Sequence, residues 1–300
     1  MLAGALAGVG FGLTGFFLAR IPGPGAPMGS VMFFLVPLAA GVAITMVTAP
    51  PRAIGAAALL ATIVSLLFLV SLKAEGVLCA LMALPLVFVA LLAGVAIGLL
   101  IRWLSRIVEG SHTAVTSCVL VLLPLAVYAG HRVEMKTLIH PRAEIVTTTI
   151  ELPATPEQVW ANIQSLPAVE GTKPFLMRIG LPIPQRCVLE GTAVGSKRIC
   201  YFDQGSIEER VLEWDPPRRM RLAIDRTNMP GRHWLEFEGA EYDLAPNAGG
   251  TRLTRTTTIE SNLYPAWYWR RFERLGVEDE HEYLFSDLSR RFASNSQAPR

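Results

Sequence analysis

Apolar and polar positions follow two different rules along this chain. Up to about residue 130 apolar side chains run on almost unbroken, in five uncharged stretches: Leu2–Ala19, Ser30–Ala49, Ala53–Leu72, Gly76–Ile101 and Thr113–Gly130. A helix needs roughly 20 apolar residues to cross a bilayer, with a range of about 17–25. The pattern therefore predicts an all-α transmembrane region over residues 1–130. Five spans is the first reading. Four, with the last run lying partly in the interface, is the alternative. Pro37, Pro85 and Pro124 fall inside these runs, where neighbouring helices satisfy the freed carbonyls.

Beyond residue 143 the pattern changes to alternation. In Glu144–Leu152, Val146, Thr148, Ile150 and Leu152 share one face of a strand. Thr155, then Pro156, Glu157 and Gln158, form a helix start for Pro156–Ser165. An irregular stretch with four prolines, 166–184, follows. Six strand-like pieces come next: Arg186–Glu190, Ser196–Asp203, Ser206–Trp214, Arg219–Asp225, Trp234–Leu244 and Thr251–Glu260. The last element, Pro265–Phe292, has helical period. Val277, His281, Leu284, Leu288 and Phe292 fall on one face. Helices grouped at the ends of an antiparallel run define an α+β domain. The expectation is a curved antiparallel sheet around the long C-terminal helix. The boundaries are a juxtamembrane linker at 131–143, the domain at 144–293 and a disordered tail at 294–300.

Charge sharpens this division. Of 52 charged side chains only seven lie in residues 1–130. The remainder of the chain carries 22 basic and 23 acidic residues, so it has no basic field, and nucleic acid is not an expected partner. No charged residue falls within a predicted span. Transporters and pumps bury such groups, so an anchor that sets location is the better reading of the helices. Gly4, Gly8 and Gly12, and again Gly94 and Gly98, recur every four residues. That spacing lets helices approach closely, within the chain or in helix-mediated self-association. Basic residues flank both sides of the spans, so the chain reads as a multi-pass cell-membrane protein with the side of its soluble domain undecided.

The pieces Val159-Trp160, Gly191 to Arg198, Glu213-Trp-Asp-Pro-Pro-Arg-Arg219, Gly249-Gly-Thr-Arg-Leu-Thr254 and Trp267-Tyr-Trp269, in this element order, resemble the START-like superfamily SRPBCC. Its members include lipid-transfer START domains, the birch-pollen allergen family and polyketide cyclases. The resemblance covers residues 144–293. It implies a helix-grip fold with an apolar cavity between sheet and C-terminal helix, binding a hydrophobic small molecule or lipid.

The candidate cavity residues are His281, Trp269, Phe272, Leu284, Leu222, Phe237 and Ile224. His281 is the one polar residue on the apolar face of the last helix. It is either an acid–base group or a hydrogen-bonded core histidine. Glu209 and Glu213 share parity with Ile207 and Val211. If that face is concave, two carboxylates enter the cavity; if it is convex, Leu212 and Trp214 point inward. The bulk of Trp214 favours the second arrangement. Arg198 stands in the same relation to Cys200 and Phe202. Cys187 and Cys200 flank one hairpin turn, either as a disulfide or as two free thiols. No metal-ligand, Walker, Rossmann, HExxH or GxSxG pattern occurs, and no cofactor is expected. The leading reading is a membrane-anchored domain that binds a hydrophobic molecule drawn from the bilayer. The alternatives are a cyclase or aromatase-type enzyme, using His281 with a cavity carboxylate, and an envelope or stress protein that docks a partner.

Overall fold

The computed structural model describes residues 1–20, 28–48, 50–71, 76–107, 112–137, 141–229 and 234–296. The chain forms two units. The first takes Met1–Pro141 with Asn262–Ala266, and the second takes Arg142–Ser261 with Trp267–Arg300.

The uncharged runs fold as helices because a long apolar segment satisfies its backbone only internally. They are α1 (Leu2–Arg20), α2 (Val36–Val47, entered through a π-helical turn at Val31–Leu35), α3 (Ile54–Ser71), α4 (Val77–Ile107) and α5 (His112–Thr137). Three segments are long and apolar enough to cross a membrane: Pro51–Ser71, Val77–Ile107 and Thr113–Thr137. The apolar helices at Leu2–Phe17 and Val31–Val47 are shorter. Five helices thus stand where five spans are expected, and three of them reach spanning length. The predicted ends at Ala49 and Leu72 lie outside the described residues.

Glycine governs the packing of α2 on α4. A Cβ built on Gly94 would meet the Leu38 carbonyl oxygen at 2.0 Å, and one on Gly41 would meet the Leu91 carbonyl at 2.3 Å. Gly98 sits over Thr45 in the same contact, and Gly4 and Gly8 sit over Thr48, Ile44 and Ala61. The four-residue glycine spacing is therefore used inside the chain. At the end of α2, Arg102 donates through Nη1 to the carbonyls of Thr45 and Thr48 at 3.0 and 2.8 Å. A guanidinium there satisfies carbonyls left over at the helix end and matches its dipole.

The second unit is a seven-stranded antiparallel sheet followed by a 31-residue helix. The strands are β1 (Arg142–Leu152), β2 (Pro184–Glu190), β3 (Lys197–Phe202), β4 (Gly205–Asp215), β5 (Arg219–Thr227), β6 (Leu235–Asn247) and β7 (Gly250–Ser261). Their order is β1-β7-β6-β5-β4-β3-β2, so β2 to β7 form a meander and β1 adds beside β7. The short helices α6 (Pro156–Gln164) and α7 (Phe175–Arg178) lie between β1 and β2, and α8 (Ala266–Ser296) closes the domain. This is the helix-grip fold. Register shifts at Val211/Glu213 in β4 and Phe237/Gly239 in β6 are bulges, which bend a strand and increase its twist. Gly239 permits the bend, since a Cβ there would meet the Leu222 carbonyl at 2.6 Å.

Several ends differ from the sequence pattern. Residues 131–143, expected as a linker, carry the last turns of α5 to Thr137 and the start of β1 at Arg142; residues 138–140 lie outside the described set. The helix α8 begins at Ala266 and continues through Ser296, past the expected tail boundary, and 297–300 are not described. The capping prediction holds in detail: Thr155 Oγ1 accepts from the Gln158 amide while Gln158 Oε1 accepts from the Thr155 amide, a reciprocal capping box.

Candidate functional site

The spacing on α8 delivers its residues to the sheet. Val277, His281, Leu284, Leu288 and Phe292 are all buried. Leu284 and Leu288 join Leu222, Met220, Tyr242, Leu253, Val159 and Trp160 in the main core. Phe237 packs instead on a second cluster of Val146, Ile259 and Val277. Trp269 is buried in the early turns of α8 and Phe272 is half-buried, with ring centroids 6.3 Å apart. Ile224 is half-buried and joins neither cluster. The expected cavity residues therefore divide between two apolar clusters and an aromatic group at the start of α8.

His281 has no exposed surface. Its Nδ1 lies 2.7 Å from Thr148 Oγ1 on β1, and its Nε2 lies 2.7 Å from Thr257 Oγ1 on β7. A neutral imidazole has one donor and one acceptor nitrogen. One nitrogen therefore donates to one threonine while the other accepts from the second, and the ring ties α8 to both strands. Burial, and then the charge of Arg255, lower its pKa to about 2. A ring so held stays neutral near neutral pH. Unfolding releases the ring to its ordinary value of 6.5. The unfolded chain thus takes up a proton below pH 6.5 that the fold refuses, and stability falls as pH falls. The expected loss is about 1.4 kcal/mol per pH unit below 6. Thermal unfolding of the full chain between pH 6.5 and 5 measures it, and a His281→Gln variant should flatten that slope.

The sheet carries a second polar group that the sequence pattern places incorrectly. Glu209 points inward with Ile207 and Val211, and Leu212 is exposed. The bulge between Val211 and Glu213 then reverses the alternation. Trp214 therefore also turns toward the core, against Trp160 at 5.1 Å, while Glu213 meets Arg219 and Arg221 at the surface. The convex placement of Glu209 is thus corrected, and that of Glu213 stands. Each face assignment holds for one residue only, Glu209 for the concave and Trp214 for the convex, because the extra residue Leu212 sits exposed between them.

Arg198 lies directly opposite Glu209 in the β3–β4 register. Its Nη1 donates to Glu209 Oε2 at 2.6 Å, Nε to the Gln164 carbonyl at 3.2 Å, and Nη2 to the Ile163 carbonyl at 3.3 Å. Burial opposes its charge, but Glu209 and then Tyr242 outweigh this and hold its pKa above the usual guanidinium value. The Tyr242 ring on β6 lies 5.8 Å from the Arg198 guanidinium carbon and 5.4 Å from that of Arg255 on β7. Arg255 in turn pairs with Glu280 of α8 at 2.7 Å. A polar band thus runs Glu209, Arg198, Tyr242, Arg255, Glu280 across the sheet to the helix, with His281 beside it. The sequence pattern alone assigns no role to Tyr242 or Arg255. The signal was there: Arg255 shares the parity of Leu253 and Ile259, and Tyr242 that of Leu244.

Further polar contacts fix the surroundings. Arg142 Nη2 meets both oxygens of buried Glu273, at 2.9 and 2.8 Å, joining β1 to α8. The irregular segment before β2 hangs on α8 through Glu170 N–H to Asp287, Thr172 N–H to Ser286 and Leu176 N–H to Asp279.

Cys187 and Cys200 face each other in the β2–β3 register and are disulfide-bonded. Cys79 and Cys118 remain thiols. Thiol titration of the denatured, unreduced chain should therefore find two thiols, and reduction should raise this to four. Among the described residues, no group of three or more His, Cys, Asp or Glu is placed to hold a metal ion.

The architecture defines a START-like helix-grip domain. The family model described as polyketide cyclase / dehydrase and lipid transport matches residues 143–295, and the chain belongs to that family. No curated protein matches the chain. Among solved structures, a Rhodobacter sphaeroides protein is 19% identical over 51% of this chain and 99% of its own, with a TM-score of 0.36. A Nitrosomonas europaea protein is 15% identical over 52% and 97%, with a TM-score of 0.34. The Aha1 dimer from Colwellia psychrerythraea is 15% identical over 50% and 96%, with a TM-score of 0.33.

Proposed function

We propose that this protein is a membrane-anchored START-like domain that takes a hydrophobic small molecule or lipid from the adjacent bilayer into the grip between the sheet and α8. The observation that carries this reading is chain connectivity. A domain of a lipid-transport family begins at Arg142, five residues after a helix of membrane-spanning length ends at Thr137. Burial of an apolar ligand body at about 25 cal/mol per Å² supplies the affinity. The Cys187–Cys200 bond further supports a domain on the oxidising side of the membrane, since disulfides are rare in reducing compartments.

Native mass spectrometry of the full chain, released from detergent, tests the reading. One tightly held hydrophobic mass at unit stoichiometry supports it. A ladder of loosely held bilayer lipids that strips away together contradicts it. The contacts of His281 to Thr148 and Thr257 favour the ligand-binding reading over the cyclase-type alternative, which uses this ring as an acid–base group.

A further inference from the structure

Two buried nitrogens of Arg255, Nε and Nη1, make no hydrogen bond among the described residues, although Nη1 lies within ion-pair distance of Glu280. Arg255 is 7% exposed. Glu280 approaches its guanidinium end-on, with Nη1 at 2.7 Å from Oε2 and Nη2 at 3.2 Å from Oε1. Its Nε is shielded from solvent and has no hydrogen-bond partner among the described residues. Buried donors are almost always satisfied, so an orphan at a site of this kind needs an explanation.

A guanidinium presents two edges to planar anions. Glu280 occupies the end. The side edge, formed by Nε–H and the second Nη2 hydrogen, matches the spacing of a carboxylate. That edge belongs to a charged group set beside the apolar core. The Tyr242 ring stands 5.4 Å from the Arg255 guanidinium and packs in one cluster with Met220, Leu222, Leu253 and Leu284. The Arg198 guanidinium carbon lies 5.8 Å from the centroid of the same ring. Glu209 is buried against Arg198, whereas the Glu280 side chain is 20% exposed and keeps part of its hydration. The band thus pairs two cations with two anions, and Glu280 is the more solvated of the two carboxylates. Apolar body contacts and an unfilled cationic fork belong together in a site for an amphiphile.

We propose that the side edge of Arg255 receives the head group of the ligand, and that the ligand is an amphiphile ending in a carboxylate, with its apolar body against Leu222 and Leu284. This inference rests on the hydrophobic-ligand reading above. The experiment is a native mass-spectrometric titration of the full chain at pH 7.5 with palmitic acid and, separately, methyl palmitate. The two probes share an apolar body and differ in the charge of the head. Palmitate should half-saturate the protein at a concentration at least tenfold below that of the ester. In Arg255→Met that preference should vanish. Equal half-saturation by the two probes in the unaltered chain overturns the head-group assignment and leaves the hydrophobic-ligand reading standing; this comparison needs no variant to fold. A preference that survives in Arg255→Met also overturns the assignment. Failure of both probes to bind overturns the hydrophobic-ligand reading and this inference with it.

Discussion

Replacing Arg198 with methionine will destabilise the C-terminal domain by about 3–5 kcal/mol, the cost of leaving a buried carboxylate without its partner. Arg198 is 1% exposed and Glu209 5%, and Arg198 also satisfies the carbonyls of Ile163 and Gln164 at the end of α6. The single change therefore strips an ion pair and uncaps a helix together. Denaturant unfolding followed by near-ultraviolet circular dichroism measures the loss, since the Trp160–Trp214 edge contact reports on this part of the core. The double variant Arg198→Met, Glu209→Leu should recover most of it, because two apolar groups of similar size replace a buried pair at little net cost. A loss below about 1 kcal/mol in the single variant, a value typical of exposed pairs, would show that the two groups reach water.

The second large effect is expected in the helical unit. Gly94→Leu places a side chain where the Leu38 carbonyl stands 2.0 Å from the Cβ position. The obstacle is backbone, so no rotamer change relieves it, and α2 and α4 must separate. Overpacking of this kind costs about 1–3 kcal/mol, occasionally more, and a clash with backbone belongs at the upper end or above. Gly10→Leu is the control, because nothing lies within 4 Å of its Cβ position. Thermal unfolding of the full chain in mild detergent should drop sharply for Gly94→Leu and stay within error for Gly10→Leu. Equal behaviour of the two variants would contradict the close α2–α4 contact.

Much of this architecture is written in local pattern. The period of α8 placed five side chains on the sheet because helix geometry leaves little choice once the spacing is apolar. Thr155 with Gln158 marked the start of α6 through a local hydrogen-bond exchange. Cys187 and Cys200 sat at matching distances from a turn, which sets hairpin register. What stayed hidden depends on non-local facts. Alternation in β4 defines two faces but not which one is buried, and a bulge after Val211 lets Glu209 and Trp214 both turn inward, which no strict period of two allows. Arg255 shares a face with Leu253 and Ile259, whereas Tyr242 comes inward only because the bulge after Phe237 reverses the alternation in β6. As polar residues they gain meaning only when Arg198, Glu209 and Glu280 arrive from other elements. The role of Gly94 was visible in its spacing with Gly98, whereas its partners Leu38 and Gly41 carry no such signal.

Photo-crosslinking in intact membranes shows whether a membrane-anchored grip domain holds a hydrophobic ligand from the bilayer. A diazirine-bearing fatty acid is activated in membranes containing the full chain, and the labelled peptides are mapped. The account predicts crosslinks on β5, β6 and α8 at residues near Leu222, Tyr242 and Leu284, competed away by unlabelled palmitate. Crosslinks confined to α1–α5, with none in residues 142–296, would contradict it.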